Sequence, residues 1–274
     1  MLAAVIPAHN EGGRISEVIR QLLKLPVGLV VPVLNGCTDM TAEVVGRVSD
    51  HRLRPLHFRE ALGYDVPRIA GSRAALEAGA RAVLFVDGDL IGRVAGCLAE
   101  LVDGVRRGLD LALCDCYVGT PVPYRESAAH AVYAARAALN TALGRADLGV
   151  AIPSHGPVAV SRRLLETVPP SALGVPPLMQ ARACRAGLKV GVSAALGHRD
   201  LGSAGRDREH RLRIADTLVG DCAQAICWAQ GRPANRGGHA GYHPLRRFDL
   251  LGLEPPEAEG HSDLAGEEAS LRAT

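Results

Sequence analysis

Short apolar runs alternate with longer segments of helical periodicity through most of this 274-residue chain, and this alternation constrains the fold more than any other feature. The predicted strands are 2–6, 27–34, 53–58, 82–86, 109–114, 157–161 and 189–196. The predicted helices are 15–25, 41–48, 68–80, 94–107, 127–143, 162–168, 179–186 and 214–230. Strands that alternate with crossover helices predict an α/β fold, with a mostly parallel central sheet and helices on both faces. Ligands of such sheets bind at the carboxyl ends of the strands.

Composition excludes several classes of protein. A formal net charge of +2 gives no electrostatic reason to expect a nucleic-acid partner. The chain has no run of 18 apolar residues, so we expect no membrane span. Seven cysteines, an odd number scattered along the sequence, predict free thiols in a reducing cytoplasm.

The chain reads as one domain with an acidic tail. We expect a single domain over 1–253, with a ligand-binding half at 1–115 and a second half at 116–253. From about Glu254 the sequence becomes acidic and rich in Pro, Gly and Ala, which predicts a disordered tail over 254–274.

Two carboxylates stand directly after the fourth predicted strand, in the sequence Leu-Phe-Val-Asp87-Gly88-Asp89-Leu. Two acids at a strand end repel each other and lose solvation, unless a cation compensates their charge. A hard divalent ion such as Mg²⁺ or Mn²⁺ is suited to this, because it binds carboxylate and phosphate oxygens together. The alternative is a solvated turn, since Asp-Gly is a common turn dipeptide.

Three further motifs surround the acid pair in sequence order. Pro7-Ala8-His9-Asn10-Glu11 follows the first strand, 35–41 (Asn-Gly-Cys-Thr-Asp-Met-Thr) follows the second, and Arg68 lies between Gly63 and Gly71 before the fourth. The ordered set resembles the family 2-like glycosyltransferases of the GT-A fold over residues 1–110, and more loosely to about 235. The pattern is nearest to the retaining glucosyl-3-phosphoglycerate and mannosylglycerate synthases.

The resemblance implies that residues 1–115 form the nucleotide-sugar-binding half and residues 116–253 the acceptor-binding half. It also implies a role for each matched position. The residues implied to bind a nucleotide-diphospho-sugar donor are Pro7, Ala8, Glu11, Asn35, Arg68, Asp87 and Gly88. Asp89 would bind a Mg²⁺ or Mn²⁺ cofactor that bridges the two phosphates. Asn35 departs from the Asp that is common in the family, which leaves the base open between uridine and guanosine. Arg68 has a second interpretation as a solvated helix residue.

His198 follows the last predicted strand. In the metal-dependent retaining relatives a His at this position completes the metal site, so the resemblance implies metal ligation by Asp89 and His198. An Arg- and Gly-rich stretch, 201–213, follows and predicts either a mobile loop that closes over the diphosphate or a solvated linker. Arg206 in this stretch is expected to be catalytic, together with Asp89 and His198.

Acceptor binding is expected from His155, Gly156 and Arg199, and the basic cluster suits an anionic acceptor. Inverting members of the family carry an acidic general base where this chain has Val175 and Pro176, and no acid lies between Glu166 and Asp200. The absence favours transfer with retention.

The expected function is therefore metal-dependent transfer of a hexose from a UDP- or GDP-sugar to a hydroxyl acceptor, by a cytoplasmic protein that could form a homodimer. The alternative is a nucleotide-sugar-binding protein that has lost transfer activity. A sugar nucleotidyltransferase fits less well, because the residues after the first strand are in the wrong order for a triphosphate loop. A dinucleotide-binding Rossmann domain is disfavoured, because no G-x-G-x-x-G follows that strand.

Overall fold

The computed structural model describes residues 1–257 except Pro123, Arg125, Glu126, Ala204 and Arg206. The predicted catalytic residue Arg206 therefore lies outside the described residues. Most of the predicted tail over 254–274 also lies outside them, since only 254–257 are described.

The described chain alternates strands and helices in the order that the sequence predicts. The strands are β1 (Leu2–Ala8), β2 (Leu29–Asn35), β3 (Leu56–Phe58), β4 (Ala82–Phe85), β5 (Leu111–Asp115), β6 (Val158–Ser161) and β7 (Val190–Ala195). The helices are α1 (Ile15–Leu23), α2 (Thr41–Gly46), α3 (Pro67–Glu77), α4 (Ala95–Arg106), α5 (Ala128–Ala142), α6 (Arg162–Thr167), α7 (Pro176–Arg185) and α8 (Arg208–Ala229).

All of these strands join one sheet in the order β3-β2-β1-β4-β6-β5-β7. β6 runs antiparallel to both of its neighbours, and the other pairs are parallel. The mostly parallel α/β sheet is thus confirmed. Because β1, β2 and β4 are parallel neighbours, their carboxyl ends meet at one edge, where the motifs that follow them are brought together.

Both faces of the sheet are buried, which explains why its strands are almost continuously apolar. Val5 of β1 belongs to one hydrophobic core, and its neighbours Ala4 and Ile6 belong to the other. Gly71 allows α3 to lie close to the sheet, since a Cβ there would overlap Val5 Cγ1 and lie 3.2 Å from Val33 Cγ2. This close approach fixes α3, which carries one of the predicted site residues near its start.

The last helix, α8, begins earlier than residue 214, where the sequence predicts its start. The helix begins at Arg208, with Asp207 as N-cap accepting a hydrogen bond from the backbone N–H of His210 at 2.8 Å. The second half of the expected loop or linker over 201–213 is therefore helical. Sequence reasoning missed this start because the first turns of α8 are rich in Arg and show no apolar periodicity.

No helix within the described ranges is long and apolar enough to cross a membrane.

Candidate active site

A cleft of about 1660 Å³ lies at the carboxyl edge of β1, β2 and β4. It is bounded on the other side by the segment after β7 and the first turns of α8. The predicted site residues that line it are Pro7, Ala8, Glu11, Asn35, Arg68, Asp87, Gly88, Asp89, His155, Gly156, His198 and Arg199. The structure thus brings together in one cavity every predicted site residue that it describes.

The acid pair follows β4 on a turn fastened to the end of β1. Gly88 donates its backbone N–H to Pro7 O at 3.1 Å, and a Cβ at Gly88 would lie only 3.2 Å from that same oxygen. Asp87 still exposes 44% of its side chain to the cleft. Burial raises the pKa of Asp87 to about 6, against the opposing effect of Arg68, and the neighbouring charge of Asp89 adds to the rise. The turn therefore concentrates negative charge that a cation or cationic group would stabilise.

Arg68 is buried beneath the acid pair, so its interpretation as a solvated helix residue is wrong. Its Nη1 donates to Pro153 O at 2.8 Å, and its Nε lies 3.2 Å from Asp65 Oδ1. Its Nη2 lies 3.6 Å from Asp87 Oδ1, and the guanidinium stands 5.5 Å from the centre of the Phe85 ring. Arg68 is thus a fixed positive charge directly beside Asp87.

Asn35 is buried at the end of β2, and both ends of its amide are already engaged. Its Nδ2 donates to Gly63 O at 3.1 Å, and its Oδ1 accepts the backbone N–H of Leu62 at 2.6 Å. The amide therefore holds the 62–63 turn against β2. His9 belongs to the motif after β1, but the sequence predicted no role for it. Its Nδ1 lies 2.6 Å from the backbone carbonyl oxygen of Asn35.

Asp39 fixes the turn after β2. Its carboxylate accepts the backbone N–H of Gly12 at 3.0 Å and that of Thr41 at 2.9 Å. These hydrogen bonds outweigh the effect of burial and lower the pKa of Asp39. Thr41 in turn accepts the backbone N–H of Glu11 at 2.8 Å, so α2 positions the Glu11 loop at the cleft.

Two imidazoles meet on the other side of the cleft. His155 Nε2 lies 3.2 Å from His198 Nδ1, and the rings stack with centroids 5.2 Å apart. Burial lowers the pKa of both histidines, and the positive charge of Arg136 lowers both further. Both rings are therefore neutral near pH 7, which is the form in which imidazole binds a metal ion.

One backbone hydrogen bond ties the acid turn to the His198 segment. Gly92, three residues after Asp89, donates its N–H at 3.0 Å to the oxygen of Leu201, three residues after His198. Among the described residues no group of three or more His, Cys, Asp or Glu side chains is arranged to hold a metal ion. A cation shared by Asp89 and His198 would therefore need further oxygen ligands from a substrate or water.

Sequence reasoning missed a buried ionic chain behind Arg68, which is formed by Asp65, Arg246, Asp221 and Arg236. Arg246 Nη2 lies 2.7 Å from Asp221 Oδ2 and 3.6 Å from Asp65 Oδ2, and Asp65 also contacts Arg68. Arg236 Nη1 lies 2.6 Å from Asp221 Oδ1. Burial raises the pKa of Asp65 despite both of its arginine neighbours. No local motif marks the whole chain of ion pairs. Asp65 and Arg68 are three residues apart, but Arg246 lies far in the sequence from both Asp65 and Asp221.

Basic residues line the cleft beside His198. The exposed Arg199 lies in the short 3₁₀ helix His198–Leu201, and Arg208 and Arg211 line the cleft from the first turns of α8. Val175 and Pro176 are buried at the start of α7, and the stretch 167–199 contains no Asp or Glu. The structure describes all of 167–199, so no acidic side chain lies on this stretch.

The chain is similar to known glycosyltransferases in sequence and in fold. The model of the family described as Glycosyl transferase family 2 matches residues 3–168. No curated protein sequence matches the chain. The solved structure of glucosyl-3-phosphoglycerate synthase from Mycobacterium tuberculosis with phosphoglyceric acid is 25% identical, with a TM-score of 0.59, over 85% of this chain and 81% of that chain.

Two other complexes of that Mycobacterium tuberculosis enzyme show the same fold. The one with Mn²⁺ and UDP-glucose is 22% identical, with a TM-score of 0.59, over 85% of this chain and 80% of that chain. The one with Mg²⁺ and UDP is 23% identical, with a TM-score of 0.57, over the same shares. Because the family model spans more than half of its residues, this chain belongs to glycosyl transferase family 2 and is a glycosyltransferase.

Proposed function

We propose that the protein transfers a hexose from a UDP- or GDP-sugar to a hydroxyl group of an anionic small molecule, with the help of Mg²⁺ or Mn²⁺ and with retention at the anomeric carbon. The observation that carries the proposal is the shared cleft of the acid pair and His198, whose segments the Gly92–Leu201 hydrogen bond joins. Carboxylate and neutral imidazole are suitable ligands for both ions.

Asp89 and His198 would hold the cation, which would stabilise the negative charge that develops on the leaving diphosphate. Arg68 offsets the charge of Asp87, so that Asp87 can face the donor without leaving the acid pair uncompensated. Glu11, which is buried just after β1 and lines the cleft, would accept hydrogen bonds from ribose hydroxyls. The complexes of the Mycobacterium tuberculosis relative with Mn²⁺ and UDP-glucose support this donor class.

The acceptor side favours a negatively charged molecule. Arg199, Arg208 and Arg211 give this part of the cleft positive charge, and guanidinium groups bind phosphate and carboxylate oxygens well. The relative's complex with phosphoglyceric acid, an anion that carries a hydroxyl group, supports the same class of acceptor.

Retention is supported by the start of α7. An inverting transfer needs a base to deprotonate the acceptor hydroxyl, and here the position is taken by the buried Val175 and Pro176. In a front-face transfer, the acceptor attacks on the side from which the diphosphate leaves. The leaving phosphate oxygen can then take the acceptor proton, so no carboxylate is required.

The Asp89→Asn variant tests the metal assignment. We expect it to lower the affinity for Mn²⁺ in the presence of UDP by at least roughly 10- to 100-fold, because loss of a direct charged ligand should cost no less than loss of an outer-shell partner. The matched control is Asp103→Asn, an exposed acid on α4, which should bind like the wild type. Calorimetry with UDP and GDP, each with and without Mn²⁺, measures the effect. Equal Mn²⁺ affinity in the two variants would refute the role of Asp89.

The second candidate, a donor-binding protein without transfer activity, is favoured by the absence of acids from 167–199 and by the occupied amide of Asn35. A panel of hydroxyl acceptors, with and without phosphate or carboxylate groups, separates the two functions. Release of UDP or GDP that depends on the acceptor supports the transferase. Tight donor binding with no product from any acceptor supports the binding protein.

A further inference from the structure

The direct contact between His155 and His198 places a second imidazole behind the proposed metal ligand. His155 Nε2 and His198 Nδ1 are 3.2 Å apart, so one of these nitrogens donates its proton to the other. The contact occupies Nδ1 of His198 and leaves its Nε2 as the nitrogen available to a cation in the cleft.

A metal ion on His198 Nε2 would select the direction of this hydrogen bond. A ligating nitrogen needs a free lone pair, so the proton of the neutral His198 ring must then be on Nδ1. His198 Nδ1–H would then donate to His155 Nε2, and the neutral His155 ring would carry its proton on its own Nδ1. Hydrogen bonds of this kind orient metal-binding histidines and raise their basicity.

His155 is itself held in place by its surroundings. The next residue, Gly156, has φ = +71°, and a Cβ there would overlap Cys116 Sγ, so the turn at this point depends on glycine. The Cys116 thiol donates to His155 O at 3.7 Å. Tyr117 packs against the His155 ring with centroids 5.2 Å apart, and its hydroxyl accepts from Arg136 Nη1 at 2.9 Å.

We propose that His155 is a positioning residue: it accepts the Nδ1–H of His198 and so presents the Nε2 lone pair of His198 to the divalent ion. This inference rests on the proposed function, because it assigns His155 a part in the metal site. It gives His155 a different role from the acceptor contact that the sequence predicts. The fixed turn at Gly156 and the packing of Tyr117 explain how the ring is held ready before metal binds.

The test compares His155→Leu, which cannot accept a hydrogen bond, with His155→Gln, whose amide oxygen can. We expect His155→Leu to weaken Mn²⁺ binding in the presence of UDP by roughly 10- to 100-fold. His155→Gln should keep most of the affinity that the Leu variant loses. Electron paramagnetic resonance of free Mn²⁺ measures both affinities. His51→Leu, at an exposed histidine, is the matched control and should bind like the wild type.

A second readout uses the wild-type protein alone, so that it does not depend on folding of the variants. In protein labelled with ¹⁵N-histidine and saturated with Mg²⁺ and UDP, we expect the His198 signals of a protonated Nδ1 and an unprotonated Nε2. A protonated Nε2 in that complex would overturn the proposal. So would unchanged Mn²⁺ affinity in His155→Leu, or equal losses in the Leu and Gln variants.

Failure of the positioning role and failure of the proposed function give different results. If wild-type protein binds UDP equally well with and without Mn²⁺, the metal site itself is refuted. If Mn²⁺ strengthens UDP binding and only the His155 variants behave unexpectedly, the metal site stands and the role of His155 is refuted.

Discussion

Replacement of Asp221 by alanine should lower the free energy of unfolding by about 3–5 kcal/mol, because it leaves the buried Arg246 without its nearest carboxylate. Asp221 is fully buried on α8 and contacts two arginines, Arg246 with both carboxylate oxygens and Arg236 with one. Arg246 is also buried, so water cannot replace the lost carboxylate. In a protein of this size each kcal/mol lowers Tm by about 2–4 °C.

The control for this prediction is Asp249→Ala, which also removes an aspartate bound by two nitrogens of an arginine. Asp249 and its partner Arg247 expose 63% and 43% of their side chains, so water screens this ion pair and its loss should change the stability little. Urea unfolding monitored by circular dichroism gives both values. A difference of less than about 1 kcal/mol between the two variants would show that the buried ionic chain does not stabilise the fold.

The same carboxylate predicts a pH dependence. Burial alone would raise the pKa of Asp221, but Arg246 and Arg236 outweigh it and hold the pKa below its usual value. The stabilisation is therefore fully present above the unfolded pKa of about 3.9 and is lost as the pH falls through the lower folded value. The advantage of the wild type over Asp221→Asn should thus be constant near pH 7 and shrink below about pH 4.

The ionic chain also links stability to the site. Asp221 holds Arg246, Arg246 and Arg68 share Asp65, and Arg68 contacts Asp87 at the cleft. The Arg68 guanidinium can offset the charge of Asp87 only while Asp65 and the residues behind it hold Arg68 in place. The segment that carries Arg246 therefore helps to hold Arg68 beside Asp87 at the cleft, although it contributes none of the family motifs.

The central sheet could be predicted because each strand leaves a clear local signal. β1 and β4 are buried on both faces, so they read as short apolar runs that end at a proline or an acid. The strand order could not be predicted in the same way. The antiparallel position of β6 between β4 and β5 depends on how the chain returns across the sheet, and no residue within β6 records it.

The candidate site likewise contains residues that the sequence could predict and contacts that it could not. Asp87, Asp89 and His198 could be found because each follows an apolar strand, and the carboxyl edge of the sheet brings strand ends together. The contacts that orient the site could not be found. Arg68 reaches Pro153 across 85 residues, and His155 reaches His198 across 43, so these contacts exist only once the chain has folded.

Gly92→Ala should separate the two halves of the proposed metal site. A Cβ at Gly92 would overlap Asp200 O and lie 2.6 Å from the Leu201 carbonyl carbon, and both are backbone atoms that cannot rotate away. The 200–202 segment must move, at a cost of up to about 3 kcal/mol for overpacking. Because His198 begins the short helix that ends at Leu201, we also expect Mn²⁺ affinity in the presence of UDP to fall at least roughly tenfold.

Gly96→Ala provides the comparison, since a Cβ at this helical position of α4 meets nothing within 4 Å. It should keep the stability and the Mn²⁺ affinity of the wild type, or gain slightly in stability through the better helix propensity of alanine. The two variants differ in where one methyl group is added, so chemical denaturation and Mn²⁺ titration isolate the Gly92–Leu201 contact. If Gly92→Ala binds Mn²⁺ and UDP as Gly96→Ala does, the acid turn and the His198 segment act independently, and a cation shared by Asp89 and His198 loses its structural basis.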